Sequence, residues 1–169
     1  MTGEEKRRAQ YRKLDVDIKD DLISICKIAG DINQIAMVLK NEKVQIRGTD
    51  LMACAGYLHH YYTGVESIFD RISRSFDGGL LQGGDYHREL LRSMTLEIPD
   101  IRPKIISKEL AEELDEYRRF RHMFRHAYGS ELRLRKMEPL TNGIDLLTAN
   151  LQEKLSEFMK FVEKLRNAI

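Results

Sequence analysis

Along four long stretches of this chain, apolar residues return every three or four positions. That spacing matches one face of a 3.6-residue helix and no face of a strand. From Asp15 the pattern runs through Ile18, Leu22, Ile25, Ala29, Ile32, Ile35, Ala36 and Leu39, about seven helical turns. A second stretch, Leu51 to about Ser75, carries Leu51, Cys54, Ala55, Leu58, Tyr62, Val65, Ile68, Phe69 and Ile72. A third runs from Lys108 to Tyr128, and a fourth from Ile144 to about Asn167 with Leu147, Leu151, Leu155, Phe158, Val162 and Leu165 on one face. No segment alternates well enough to read as a strand. The expected architecture is an all-α, up-and-down bundle of four long helices plus a short one, with mostly antiparallel neighbours, in a single domain over residues 1–169.

The punctuation fits that reading. Residues Met1 to Lys13 are densely charged and are expected as an N-terminal arm or as the start of the first helix. Thr49 or Asp50 is placed to cap the second helix. Gly78, Gly79, Gly83 and Gly84 make a hinge. They are not a phosphate loop, because no Lys-Ser/Thr ending and no preceding strand accompany them. Asp85 is placed to cap the short helix, Tyr86 to about Met94. Pro99 and Pro103 impose an extended crossover, since a residue before proline avoids the helical basin. Ser107 is expected to cap the third long helix, and Gly129 to disrupt it just past Tyr128. Pro139 and Thr141-Asn142-Gly143 read as a turn before the last helix.

A net charge of +1 argues against a generally polybasic nucleic-acid binder, yet the charge is uneven. Between Tyr117 and Lys136 stand seven Lys or Arg against one acid, Glu131, so a local basic patch survives the neutral total. Cys26 and Cys54 sit on apolar helical patterns without metal-ligand spacing and read as small buried hydrophobes in a reducing compartment. No apolar run approaches the roughly 18 residues of a membrane span, and the charged start does not resemble a signal peptide. The expected location is cytoplasmic, with no membrane association.

The third long stretch holds the chemistry. On a helical wheel Leu110, Leu114, Tyr117, Phe124 and Tyr128 share one arc, and Arg121 falls within it. A guanidinium there is costly unless it is paired, for example with Glu66 or Asp70, or faces a cleft where anions arrive. The neighbouring arc carries Arg118, His122, Arg125 and His126, with the two imidazoles four residues apart. A hydrophobic face with an arginine set into it, beside a face of arginine and imidazole, suits phosphate chemistry. His122 and His126 also fit a solvated surface or a two-point metal site, but no carboxylate or third ligand stands near, so no metal is expected. Arg125 either orients a phosphate backbone or solvates the helix. His59, His60 and His87 read as surface or polar-contact residues, and Tyr57, Tyr61 and Tyr62 as packing. Because the arc is apolar apart from Arg121, a monomer is expected to leave much of it wet, which points to a two-fold dimer.

The arrangement Arg121-His122-x-x-x-His126-x-Tyr128 resembles the Arg-x(4)-His-x-Tyr signature of HEPN ribonucleases, particularly the HepT toxins of HEPN/nucleotidyltransferase (MNT) toxin–antitoxin pairs. The likeness extends to the helix order and to a second helix of the Tyr57-Leu58-His59-His60-Tyr61-Tyr62-Thr63-Gly64-Val65-Glu66 kind. It implies a HEPN-type fold and a metal-independent endoribonuclease, without cofactor, acting as a homodimer on RNA, tRNA or mRNA. Arg121 would then stabilise phosphate and His126 move a proton, with His122, Arg125 and Arg118 supporting the site or holding RNA. On a straight helix Arg121 and His126 point about 140° apart, so two copies are needed to converge an arginine and a histidine on one phosphate. The resemblance further implies a type VII-like system in which the cognate transferase silences the toxin by attaching AMP to Tyr128. Tyr128 lies about 20° around and roughly 10 Å along the helix from Arg121. The alternatives are a non-catalytic HEPN module that partners a nucleotidyltransferase, and a plain helical dimerisation domain.

Overall fold

In a computed structural model, which describes residues 1–79, 83–126 and 132–169, the first helix starts well before its apolar pattern. Helix α1 spans Gly3–Leu39 and begins at a capping box. Thr2 Oγ1 accepts from Glu5 N–H at 3.1 Å, while the Glu5 carboxylate accepts from Thr2 N–H at 2.7 Å. The charged N-terminal segment is therefore the start of this helix and not an arm. Glu4 and Glu5 also sit where the positive end of the helix dipole favours acids.

Helix α2 spans Gly48–Phe76. Its N-cap is Arg47, so neither Thr49 nor Asp50 is the cap. Asp50, three residues in, reaches back to accept from Arg47 N–H at 3.1 Å and from its guanidinium. A carboxylate at that position satisfies the backbone donor of the N-cap residue itself, the reciprocal half of a capping box. The chain leaves α2 through Gly78, whose φ of 74° only glycine adopts without strain. Helix α3, Tyr86–Ser93, starts at Asp85 as expected, although the Asp85 side chain makes no capping bond.

The crossover to the next helix folds back on itself instead of running extended throughout. Ile98 and Arg102 form an isolated bridge around a tight turn with Asp100 at φ 62°. Both bridge residues precede a proline, which holds them in the extended basin. Arg102 is 2% exposed and pins the loop. Its Nε and Nη2 donate to the two Asp77 carboxylate oxygens at 2.7 and 2.8 Å, and its remaining donors reach the carbonyls of Ser93, Leu96 and Pro103. The guanidinium thereby closes the end of α3.

Helix α4 spans Lys108–His126, and Ser107 caps it by accepting from Leu110 N–H at 3.1 Å. The expected end at Tyr128 and Gly129 lies outside the described residues.

Helix α5 spans Leu134–Ala168, so the expected turn at Pro139 and Thr141-Asn142-Gly143 is helical. Pro139 gives up one backbone bond within the first two turns, where the helix tolerates it best. Asn142 and Asp145 look outward to α1, accepting from Lys40 and Asn33. Gly143 lies against Tyr117, whose hydroxyl donates to the Leu140 carbonyl at 2.7 Å. The Asn-Gly pair thus reads as a turn only out of context.

These five helices are the architecture, all-α, with no strand among the described residues. α1 and α2 run antiparallel: Arg71 late in α2 reaches Asp17 and Asp21 early in α1, while Ile25 meets Gly64 further on. A Cβ at Gly64 would come within 2.9 Å of Ile25 Cγ1, so the Ile25 side chain fills the space that the glycine leaves on α2. α5 closes the other side of α1, and α4 packs between α2 and α5. The core runs through Ile18, Ile25, Leu58, Tyr61, Phe69, Ile144 and Leu151, each at most 1% exposed. Cys54 is buried there and its thiol is pushed up to about 11, as a small hydrophobe in the core should be.

One sequence expectation needs amending. Although no unbroken apolar run is long enough to span a membrane, α1 holds an 18-residue window of mean hydropathy 1.5, which reaches span length and apolarity by composition. Isoleucine and leucine outweigh the few charges in such an average. The buried face of the helix, Ile18, Leu22, Ile25, Ala29 and Ile32, packs inside the bundle.

If Gly143 is helical packing and not a turn, Gly143→Ala should stabilise the protein. The new Cβ would sit 3.7 Å from the Tyr117 hydroxyl, ordinary contact. Removing a mid-helix glycine then gains about 0.5–1 kcal/mol, readable as a higher urea midpoint with unchanged slope.

Candidate functional site

α4 presents two different faces. Leu110, Leu114, Tyr117, Phe120 and Arg121 are all buried against α2 and α5. The expectation that a monomer would leave this face wet is therefore wrong, since the bundle itself covers it. The argument for a dimer from exposed apolar surface falls with it. The outer face carries Arg118, half-buried, and His122, Arg125 and His126, all exposed.

Arg121, only 3% exposed, is held from four directions. Its Nη2 donates to Glu66 Oε2 at 2.8 Å and its Nη1 to Thr63 Oγ1 at 3.3 Å. The guanidinium carbon stands 4.8 Å from the centre of the Tyr62 ring, a cation–π contact. His87 Nδ1 lies 3.3 Å from Arg121 Nη2 and 2.9 Å from both Glu66 oxygens. An unprotonated Nδ1 would turn its lone pair on the carboxylate, so the proton belongs on Nδ1, donated to Glu66, and the Arg121 approach is proximity. Of the two partners the sequence allowed, Glu66 is the one used. Asp70 instead binds Tyr86 and Arg74. One carboxylate of α2 thus gathers α4 through Arg121 and α3 through His87.

Spacing had set Arg121 and His126 far apart around the helix, and burial divides them the same way: Arg121 faces inward and His126 outward. His126 instead meets His122, with ring centres 4.6 Å apart at an interplanar angle of 61°. Arg125 stands exposed beside them, and Arg118 lies one turn before His122, fixed by Asp115 at 2.6 Å. Tyr128 lies outside the described residues. Among the described residues no three His, Cys, Asp or Glu side chains group as metal ligands.

Across from this end of α4, His59 of α2 packs on Phe124 with ring centres 5.5 Å apart, and its Nδ1 is buried with no partner among the described residues. Desolvation, then the charges of His60, Arg125 and Arg121, hold this imidazole below its ordinary pKa. His87 is the polar-contact residue the sequence suggested, and His60 is exposed. Sequence reasoning did not see His87 and Arg121 sharing one carboxylate. The 21 and 55 residues that separate them from Glu66 leave no local signal.

Two measurements follow. Glu66→Ala leaves Arg121 charged and unpaired in the interior and should cost about 3–5 kcal/mol in chemical denaturation. The double variant Glu66→Leu/Arg121→Met should recover most of that loss. For His59, the depressed native pKa means folding favours the neutral ring, so its contribution is intact above pH about 6.5 and lost as pH falls below it. Stability should therefore drop less between pH 7 and pH 5 in His59→Gln than in the wild type.

A family model described as a HepT-like protein matches residues 53–162, from α2 through most of α5, with the whole of α4 inside the match. No curated protein and no solved structure matches the chain. The chain belongs to the HepT-like family of HEPN-domain proteins.

Proposed function

We propose that this protein is a metal-independent endoribonuclease, the toxin of a type VII-like HEPN/nucleotidyltransferase pair, working in the cytoplasm as a homodimer on tRNA or mRNA. The observation that carries the reading is the exposed His122–His126 pair, 4.6 Å between ring centres, on the same helix face as Arg118 and Arg125. His126 takes the proton from a ribose 2′-hydroxyl as that oxygen attacks the adjacent phosphorus. The 5′-oxygen leaves, and the product ends in a 2′,3′-cyclic phosphate. Arginine charge offsets the negative charge that grows on the phosphate oxygens. Arg125 faces solvent for this role, with Arg118, half-buried and paired with Asp115, two turns before it. Arg121 is held by Glu66 within one chain, so its contact with phosphate requires RNA or the second copy to displace that carboxylate.

Neutralisation is proposed to run through Tyr128. Transfer of AMP from ATP to the phenol oxygen, with pyrophosphate leaving, adds a phosphodiester charge and a nucleoside close to the arginines that would hold RNA. A second reading is favoured by one observation, the engagement of Arg121 with Glu66: a non-catalytic HEPN module that only partners the transferase.

The deciding experiment is RNA cleavage by the purified full chain. His126→Ala is expected to remove cleavage while the circular dichroism melt stays unchanged, and EDTA is expected to leave the wild-type rate alone. Cleavage that persists in a folded His126→Ala protein overturns the assignment. Intact mass after incubation with the neighbouring transferase, ATP and magnesium should rise in AMP steps that vanish in Tyr128→Phe. No rise moves neutralisation to simple binding.

A further inference from the structure

A groove of about 950 Å³ runs between α3 and α4, at the upper end of the volumes that ligand clefts occupy. Its α3 wall carries Arg88 and Arg92, and its α4 wall Lys108, Arg118 and Arg119. Glu112, Asp115 and Glu116 also line it, leaving five cations against three carboxylates. Asp115 accepts from Arg118 Nε at 2.6 Å and from Arg119 Nε at 2.7 Å, and Glu116 stands 3.8 Å from Arg119 Nη1, so two carboxylates face the two guanidiniums along the wall. Among the described residues Arg92 pairs with Glu89 at the surface, at 3.4 Å, where water competes strongly. Arg88 and Lys108 are exposed. Between the charged walls lie Leu91 and Ala111, with Leu96 exposed at the far end.

The groove ends at Arg118 and Arg119, and the imidazole face follows from there along α4. His87 at the start of α3 stands beside Arg121, so α3 lies antiparallel to α4 with Arg88 near Arg118. His122 and Arg125 follow Arg118 by one and two turns on the same side of α4. From Lys108 to His126 this cationic track measures about 27 Å along the helix.

We propose that the α3–α4 groove is the track for a single-stranded RNA backbone leading to the His122–His126 pair, with Arg88 and Arg92 as phosphate contacts on its outer wall. The identity of the polyanion rests on the ribonuclease reading. Charge complementarity points to a phosphate chain, and the apolar strip between the walls favours a strand whose bases are free to lie against it over a duplex that hides them.

The test uses the full-length protein and a fluorescent 12-nucleotide oligouridine. Arg88→Glu/Arg92→Glu alters two exposed side chains placed outside the cleavage chemistry, and its thermal melt checks folding. The variant should bind the strand at least tenfold more weakly at 0.1 M salt. The slope of log affinity against log salt should become shallower by about 1.4, two phosphate contacts in a single strand. In cleavage, KM should rise while kcat stays at the wild-type value. Unchanged affinity, slope and KM overturn the groove, while wild-type cleavage leaves the ribonuclease reading standing. Groove-dependent binding without any cleavage keeps the groove and removes the ribonuclease. A wild type that ignores the oligonucleotide but binds polyglutamate through Arg88 and Arg92 assigns the groove to an acidic protein and overturns the RNA track. A wild type that binds neither probe overturns it as well.

Discussion

The Glu66 carboxylate is the interaction on which the arrangement of this molecule's business end depends. It sits on α2, the helix that touches every other element, and one of its oxygens meets both Arg121 of α4 and His87 of α3. A guanidinium buried on the apolar face of α4 has no tolerable alternative. Without the carboxylate, either α4 rotates to expose Arg121 or a naked charge remains inside. The pair therefore fixes the rotation of α4 about its own axis. That rotation decides that His122, Arg125 and His126 look outward together.

The same device recurs along α2. Asp70 binds Tyr86, and Asp77, the C-cap of α2, binds Arg102, so two carboxylates of the helix and one at its end hold the two ends of α3 and the loop that follows. α3 is short and buries little beyond Leu90 and Leu91, and hydrophobic burial alone would position it poorly. Directional polar contacts supply the register. This is the use of buried ionic groups that is best attested, specification of one arrangement in preference to gain in stability.

How much of this was legible beforehand depended on the distance over which each signal acts. The helices of Ile18–Leu39 and Leu58–Ile72 followed from periodicity, because the face that packs is written every three or four residues. The boundaries were read less well. Thr2 and Glu5 form a capping box that the surrounding charges obscured, and Gly143 reads as a turn until Tyr117 is placed against it. Leu110, Leu114, Tyr117 and Arg121 of the expected α4 arc are buried and Phe120 was missed, but the covering of that face by α2 and α5 is a tertiary fact that no pattern in α4 contains. Arg102 gave no sign of its role, since its partner Asp77 lies 25 residues back across a glycine-rich break.

α1 holds a further consequence. It contributes Ile18, Ile25 and Ile32, each fully buried, to a core otherwise built by α2, α4 and α5, yet it lies wholly outside the stretch by which the family is recognised. The unit that kinship marks and the unit that physics folds are therefore not the same. A fragment cut at the edges of the family match would keep every cation and imidazole of the site while laying bare the side of α2, at Gly64 and Arg71, that α1 covers. Family resemblance in this molecule tracks what the surface does.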